Sequence, residues 1–414
     1  MSQTHHRRGD CRLCGSRRLT LVLALTPTPP ANAFVAESAL DREQPAFPLD
    51  VFFCEDCTHL QLCDVVDPEI LFRDYVYVSG TSPSFVEHFR AYAAECVERF
   101  GLGQGDLAVD IGSNDGTLLG FFKGGGLNVL GIDPAERIAA EASANGIETW
   151  PEFFTAEVAA RIRDDHGPAK IITANNVFAH ADDLDGIAKA VAALLADDGV
   201  FVFEVSYAGD LYEHTLFDTI YHEHLAYHSV LPLKQFFADR GLDLFAVRRV
   251  SSQGGSIRAM VQLAGGAQSA DGSVDGLIGH EKSLGLDRAE TWIAFAEKID
   301  RLKTDLGGLL DDVKGGGNSI AGFGAPAKAT TLMYHFGIGP EVIDFIADDS
   351  PLKQGLYSPG LHIPVAPAGE IYVQRPDYLV ILAWNFAGPI MANHRRFTGD
   401  GGHFIVPLPK LEVH

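Results

Sequence analysis

The sequence predicts an α/β protein built from three units: a small cysteine-rich metal domain, a doubly wound parallel sheet, and a second, smaller α/β unit. Three observations carry this. Cys11-Arg-Leu-Cys14 recurs in form at Cys54-Glu-Asp-Cys57. From about residue 80 the texture changes to apolar runs alternating with amphipathic stretches, the pattern of strands joined by helices. After a Gly/Ser-rich break near 264–276, a new strand–turn–helix signal begins at NSIAGFGAPAKATTL. The expected boundaries are 1–78, 79–262 and 263–414.

The chain has 414 residues, 46% hydrophobic and 10% aromatic, enough for real cores. A formal charge of −23 excludes nucleic acid as a partner, because phosphates would be repelled. It says little against an anionic small ligand, which responds to a local field. No apolar run reaches the roughly 18 residues of a membrane span. The first residues, MSQTHHRRGDCRLCGS, lack the apolar core of a signal peptide. The expected protein is therefore cytoplasmic, with no membrane partner. In that compartment six cysteines point to thiols or metal ligands.

Two C-x2-C knuckles offer four thiolates, the ligand set of a tetrahedral structural zinc: Cys11, Cys14, Cys54 and Cys57. The 39 residues between the pairs are many for a simple zinc ribbon. A redox C-x-x-C is the competing reading, but such motifs come singly. Cys63 and Cys96 fall outside the pattern and are expected to pack.

In the middle unit, SFVEHFRAYAAECVERFGL has apolar residues at helical steps and stops at Gly101. Strands are expected at LAVDIG, NVLGID, KIITANNVF, VFVFEV and DLFAVRRV. The clearest helix is DLDGIAKAVAALLADDG, stopped by Gly199. VDIGSNDGTLL ends a strand at Asp110, turns at Gly112, continues through Asn114 and reaches Gly116 where a helix starts. This acid-x-Gly-x-x-x-Gly order lacks the third glycine of the dinucleotide fingerprint. It matches the first motif of class I S-adenosylmethionine methyltransferases. The next strand ends in Asp133, 23 residues on, where an acid can take both ribose hydroxyls. Asn175 and Asn176 end the strand after that, where adenine or methionine groups would lie.

FDTIYHEHLAYHS, residues 217–229, follows the strand VFVFEV and so reaches the same sheet edge. His222-Glu223 begins like the zincin motif, but position 226 is Ala, and the two histidines that motif needs are not there. Acid/base work suits the residue types better: a neutral imidazole can remove a proton beside a ketone, and a tyrosine can donate to the enolate oxygen. If the segment is extended, His222 and His224 share one side and Tyr221 and Glu223 the other. If it is helical, His224 and His228 share a face, and a two-histidine metal site remains open.

The third unit leads from the helical stretch AETWIAFAEKIDRLKTDLGGLLDDVK into Gly322-Phe-Gly324, with Ala327 where a dinucleotide site has its third glycine. Alanine is tolerated there, so a dinucleotide site is an alternative. Lys328 stands at a helix start, where backbone N–H groups favour anions.

Taken in order, the two C-x2-C pairs, YVYVSGTSPS, VDIGSNDG, FDTIYHEHLAYHS, QGGSIR, GFGAPAKATTL and DDSPLKQGLYSPGLHIPV resemble the three-domain sugar C-methyltransferases of the tetronitrose C-methyltransferase type. The resemblance implies an N-terminal zinc-binding domain, a central class I methyltransferase Rossmann-like domain and a C-terminal second Rossmann-like α/β domain. It implies S-adenosylmethionine and structural zinc as cofactors. The substrate it implies is a nucleotide-linked 4-keto deoxysugar, dTDP-linked, methylated at C-3 in deoxysugar pathways of antibiotic biosynthesis. It makes His224 the base, with Tyr221 and Glu223 near the sugar and His222 beside them. Tyr77 becomes a lid contact to the methionine end, Lys328 and Lys353 contacts to the substrate's diphosphate, and the chain a monomer. Gln253 departs from the family, which more often has His before the two glycines. The alternatives are an O-methyltransferase and a non-catalytic zinc-bearing sugar-nucleotide binding protein.

Overall fold

A computed structural model describes residues 4–72, 80 and 83–414. In the N-terminal unit, strand β1 (His5–Arg7) and four others, β2 (Leu19–Thr28), β3 (Phe47–Cys54), β4 (Leu60–Leu62) and β5 (Asp64–Val66), form two antiparallel arrangements. β1 pairs with β5, and β2, β3 and β4 lie side by side. Along β3 buried and half-buried side chains alternate, the period of a strand with one face in a core. The stretch between the cysteine pairs is thus largely a hairpin of strands β2 and β3, which accounts for its excess over a ribbon loop.

The middle unit is a seven-stranded sheet. Its strands are β6 (Leu107–Ile111), β7 (Asn128–Ile132), β8 (Thr149–Trp150), β9 (Ala169–Asn175), β10 (Leu195–Ser206), and, beyond the short β11 (Ala226–Tyr227), β12 (Leu242–Val250) and β13 (Ser256–Leu263). The order is β12-β13-β10-β9-β6-β7-β8, with β13 antiparallel to both neighbours. Every residue of β6 is buried, as expected of a strand covered on both faces. Its alternate side chains feed two cores. Val109, Ile172 and Phe203 meet the helices Ala156–His166 and Leu184–Leu194 on one face. Ala108, Ile171 and Val202 meet the helices Pro83–Phe100 and Thr117–Gly124 on the other.

Two details differ from the sequence expectation. The helix stops at Leu194, before Gly199, and β10 begins at once. Gly199 sits where a Cβ would lie 2.7 Å from the Ala169 carbonyl, so it serves the strand contact. Strand β13 was not expected, because Arg258 interrupts its apolar pattern. The guanidinium is buried and neutralised by Glu204 at 2.6 Å and Glu95 at 2.6 Å.

The C-terminal sheet holds β14 (Ile320–Phe323), β15 (Ile346–Asp348), β16 (Val365–Pro367), β17 (Tyr378–Ile381), β18 (His403–Val406) and β19 (Glu412–Val413), in the order β16-β15-β14-β17-β18-β19. All pairings are parallel except β18 with β19. The helix Ala289–Gly315 packs on β2, and one apolar core joins Leu49, Phe53 and Leu62 with Leu310, Phe323 and Leu332. The N-terminal sheet is therefore a wedge between the other two units. Strand β11 crosses into it, pairing with β4 through Ala226–Gln61 and Tyr227–Leu60.

Arg12 locks this wedge. It lies between two candidate metal ligands, is fully buried, and donates to the carbonyls of Leu62 and Leu225 and to Asp182 at 3.1 Å. Its backbone N–H donates to Gln61 at 2.8 Å. Removing one partner from a buried charged network costs about 3 kcal/mol or more. Arg12→Met is accordingly expected to lower stability by that amount in a denaturant titration. The mutant should keep its metal, because the four thiols are untouched; a change within 0.5 kcal/mol would show the guanidinium is not a strut.

Candidate active site

Both knuckles fold as tight turns closed by the chain itself. Gly15 has φ 73° and its N–H donates to the Cys11 carbonyl at 2.9 Å; Thr58 has φ 67° and donates to the Cys54 carbonyl at 2.8 Å. The four sulfur atoms lie within 4.8 Å of one another. Cys11 and Cys57 are 3.5 Å apart, Cys14 and Cys54 3.6 Å. Tetrahedral zinc with Zn–S of ~2.3 Å would space its sulfurs by ~3.8 Å, so the thiols fit the metal and are far too separated for a disulfide.

The 217–229 segment passes between all three units, and its conformation is neither of the two the sequence left open. Residues 221–224 form a turn closed by the His224 N–H to the Tyr221 carbonyl at 2.8 Å. A turn brings its ends together: the rings of Tyr221 and His224 are 4.1 Å apart between centroids. His222, in the middle, is thrown the other way. It is buried under the N-terminal sheet with Nε2 3.1 Å from the Phe47 carbonyl, and it does not line the cavity. His228 likewise turns inward, with Nε2 3.3 Å from the Phe178 carbonyl and its ring stacked on His59 at 5.5 Å. His224 and His228 therefore do not converge on a shared ligand position.

Tyr221, Glu223 and His224 do face one space, a cavity of ≈ 960 Å³. His224 Nδ1 is 2.7 Å from the Thr219 carbonyl, which can only accept. The proton must then sit on Nδ1, leaving the Nε2 lone pair available. Burial pushes His224 down to about 4, partly opposed by that carbonyl, so the ring is neutral at pH 7. Glu223 accepts from Asn32 Nδ2 at 3.0 Å.

The carboxyl edge of the central sheet forms another wall. Asp110, Gly112, Asn114, Asp133, Asn175 and Asn176 all line the cavity. Gly112 has φ 69°, and a Cβ there would lie 2.3 Å from Val177. Gly116 caps the next helix with φ 77° and lies behind the wall; a Cβ would meet Ile147 at 2.8 Å. Asp133 is aimed by two backbone donors, Asn114 at 2.8 Å and Ala135 at 2.9 Å. Burial pushes Asp110 up to about 7, against the Thr173 hydroxyl at 2.6 Å. The side-chain amide of Asn175 is buried with neither its oxygen nor its nitrogen bonded among the described residues. A polar group so placed calls for a ligand partner.

From the C-terminal unit, Lys328 and Lys353 reach the same cavity. Tyr77 lies outside the described residues. Sequence reasoning missed two neighbours. Asn32 comes from the N-terminal unit, 191 residues from its partner Glu223. His180 lines the cavity and stacks on His224 at 5.0 Å and on Phe72 at 5.7 Å. It stands just past the strand ending in Asn175, a position that pointed to the same edge.

A Rossmann-like sheet whose glycine turn and following acid face a deep cavity, joined to a four-cysteine unit, defines a zinc-bearing methyltransferase. Family models match the chain as a zinc binding domain over residues 11–72, a methyltransferase domain over 85–247 and a C-methyltransferase C-terminal domain over 251–409. C-methyltransferase NovU of Streptomyces niveus is 37% identical over 404 residues, 98% of this chain and 96% of that one. The chain belongs to this family of S-adenosylmethionine-dependent, zinc-containing C-methyltransferases. Among solved structures, a methyltransferase from Clostridium acetobutylicum ATCC 824 overlaps 44% of this chain and 92% of its own at 15% identity, TM-score 0.36. Magnesium protoporphyrin IX methyltransferase from Synechocystis PCC 6803 overlaps 43% and 79% at 16% identity, TM-score 0.32. No helix among the described residues is long and apolar enough to cross a membrane.

Metal analysis of the purified protein is expected to return one zinc per chain, and Cys54→Ser to lose it together with the folded N-terminal unit, since binding and folding are coupled. Burial also holds His222 and His228 down to about 4. In these histidines the unfolded chain binds protons that the folded chain does not. They therefore remove stability as pH falls from ~6.5 to about 4. Histidine NMR should show none of the three titrating above pH ~5; a His224 resonance with a midpoint near 6.5 would contradict the neutral-ring assignment.

Proposed function

We propose that this enzyme methylates a carbon beside the ketone of a nucleotide-linked 4-keto deoxysugar, at C-3, with His224 as the base. The observation that carries the reading is the His224–Thr219 hydrogen bond, which leaves a neutral imidazole with its lone pair beside the cavity. Bound S-adenosylmethionine supplies an electrophilic methyl group; an unactivated carbon cannot attack it, whereas an enolate can. His224 Nε2 takes the proton from the carbon beside the carbonyl. Tyr221, held against the imidazole, donates to the enolate oxygen, and Glu223, aimed by Asn32, fixes a sugar hydroxyl. Asp133 binds the ribose hydroxyls of the methyl donor, and Asn175 and Asn176 its adenine or methionine groups. An O-methyltransferase would need a base near a hydroxyl and no enolate stabiliser, and the family membership favours carbon as the acceptor.

Charge distribution supports an anionic substrate with a fixed orientation. Acids line the donor side of the cavity, among them Asp115, Asp133 and Glu157, while its cationic side chains among the described residues, Lys328 and Lys353, belong to the C-terminal unit. A diphosphate is therefore drawn to that unit and the sugar lies toward His224. At the mouth Phe386, 59% exposed, offers a face on which a nucleobase can stack.

A mass-spectrometric screen of nucleotide-linked 4-keto sugars with S-adenosylmethionine is expected to show addition of one methyl to a thymidine-diphosphate-linked member. Methylation of oxygen, or of none of them, would sink the proposal. His224→Ala should bind the methyl donor normally yet lose about 10²–10⁴ in kcat. Tyr221→Phe should lose on the order of 10²–10³. Phe386→Ala should raise KM roughly tenfold with kcat little changed, in line with the stacking energy of one base.

A further inference from the structure

The two lysines that reach the cavity are not equivalent. The Lys328 ammonium lies 3.4 Å from Asp218 Oδ2 and 4.2 Å from the centre of the Trp384 ring. Trp384 donates its indole N–H to the same Asp218 oxygen at 2.6 Å. Asp218 is fully buried and belongs to the segment that carries His224. The helix Ala327–Phe336, whose first turn carries Lys328, grips that segment further along. Phe336 stacks on Phe217 at 5.1 Å, and the Thr331 hydroxyl donates to the Ile220 carbonyl at 2.8 Å. Lys353 is placed differently. It donates to the Ala325 carbonyl at 2.5 Å and lies 5.1 Å from the centre of the Phe34 ring, and among the described residues the carboxylate that acts on its charge, Asp348, makes no ion pair with it. A carbonyl satisfies one of three N–H donors, and Asp348 acts on the charge only from a distance, so the ammonium keeps donors to offer.

We infer that Lys353 is the cation that binds the diphosphate of the substrate, whereas Lys328, with Asp218 and Trp384, is a positioning strut that fixes the catalytic segment on the C-terminal unit. The assignment rests on the nucleotide-sugar reading above. It splits the pair of lysines that the sequence treats alike. A cation already matched by a buried carboxylate adds little attraction for an incoming anion, and moving it would strand Asp218. An ammonium at the cavity wall with no carboxylate in hydrogen-bond contact gains a charge-assisted hydrogen bond when a phosphate oxygen arrives.

The test uses full-length, zinc-loaded protein and thymidine diphosphate as the calorimetric probe, with inorganic pyrophosphate alongside. Lys353→Met should weaken thymidine diphosphate binding by about ten- to a hundredfold, and Lys353→Arg should restore most of it. Lys328→Met should change that affinity by less than about threefold, yet speed amide hydrogen exchange in residues 217–225 and lower kcat more than it raises KM. Lys328→Arg should recover both, and Asp218→Asn should reproduce the Lys328→Met phenotype without adding to it in the double variant. Should a lone Lys328→Met unfold the chain, the Asp218→Asn/Lys328→Met double variant, which strands no charge, gives the affinity reading. Equal loss of thymidine diphosphate binding in the two lysine variants would overturn the division. Failure of the wild-type protein to bind thymidine diphosphate or pyrophosphate would overturn the nucleotide reading itself, and this assignment with it.

Discussion

Arg12 places a positive charge inside the protein, between two zinc-ligating cysteines, and every group that satisfies it belongs to a different part of the chain. Asp182 follows the sheet edge of the central unit, Leu62 ends a strand of the wedge, and Leu225 is the residue after His224. A buried guanidinium tolerates little movement, because any lost partner leaves charge or donors uncompensated. The knuckle that carries Arg12 therefore fixes the backbone of the segment that holds His224. The four-cysteine knuckles do not line the cavity, yet they set the frame around it.

The same segment is held from a second direction by the C-terminal unit and from a third by the Ala179 carbonyl, which accepts from Leu225. Three independent anchors around a short turn give the pre-organisation that the proposed proton abstraction from carbon demands. Position and protonation are set together: the Thr219 carbonyl orients the imidazole and selects its tautomer, while burial keeps the ring neutral. Depressing the pKa weakens His224 in its proposed role as base in the free enzyme. In the proposed mechanism, stabilisation of the enolate by Tyr221 offsets this once substrate is bound.

Much of the fold was legible because its signals are local. Strands covered on both faces read as apolar runs, and the knuckles read as spaced cysteines. Strand β13 was hidden because Arg258 is neutralised by Glu204 and Glu95, partners distant in sequence. The segment around His224 was legible in chemistry and not in geometry. Its turn is chosen by contacts with Thr219, Phe47 and Leu62, and no pattern of period 2 or 3.6 predicts that His222 faces away while Tyr221 meets His224. Asn32 and His180 escaped for the same reason, since each joins the site only through tertiary contact. The two lysines looked alike because the sequence does not reveal that Asp218 lies against one of them.

The central claim is that His224 removes a proton from carbon in a step separable from methyl transfer. NMR in deuterated water, with a nucleotide-linked 4-keto sugar and S-adenosylhomocysteine in place of the methyl donor, tests it most directly. The account predicts exchange of the proton beside the ketone in the wild-type enzyme and none above background in His224→Ala. Equal exchange in the two proteins would contradict it.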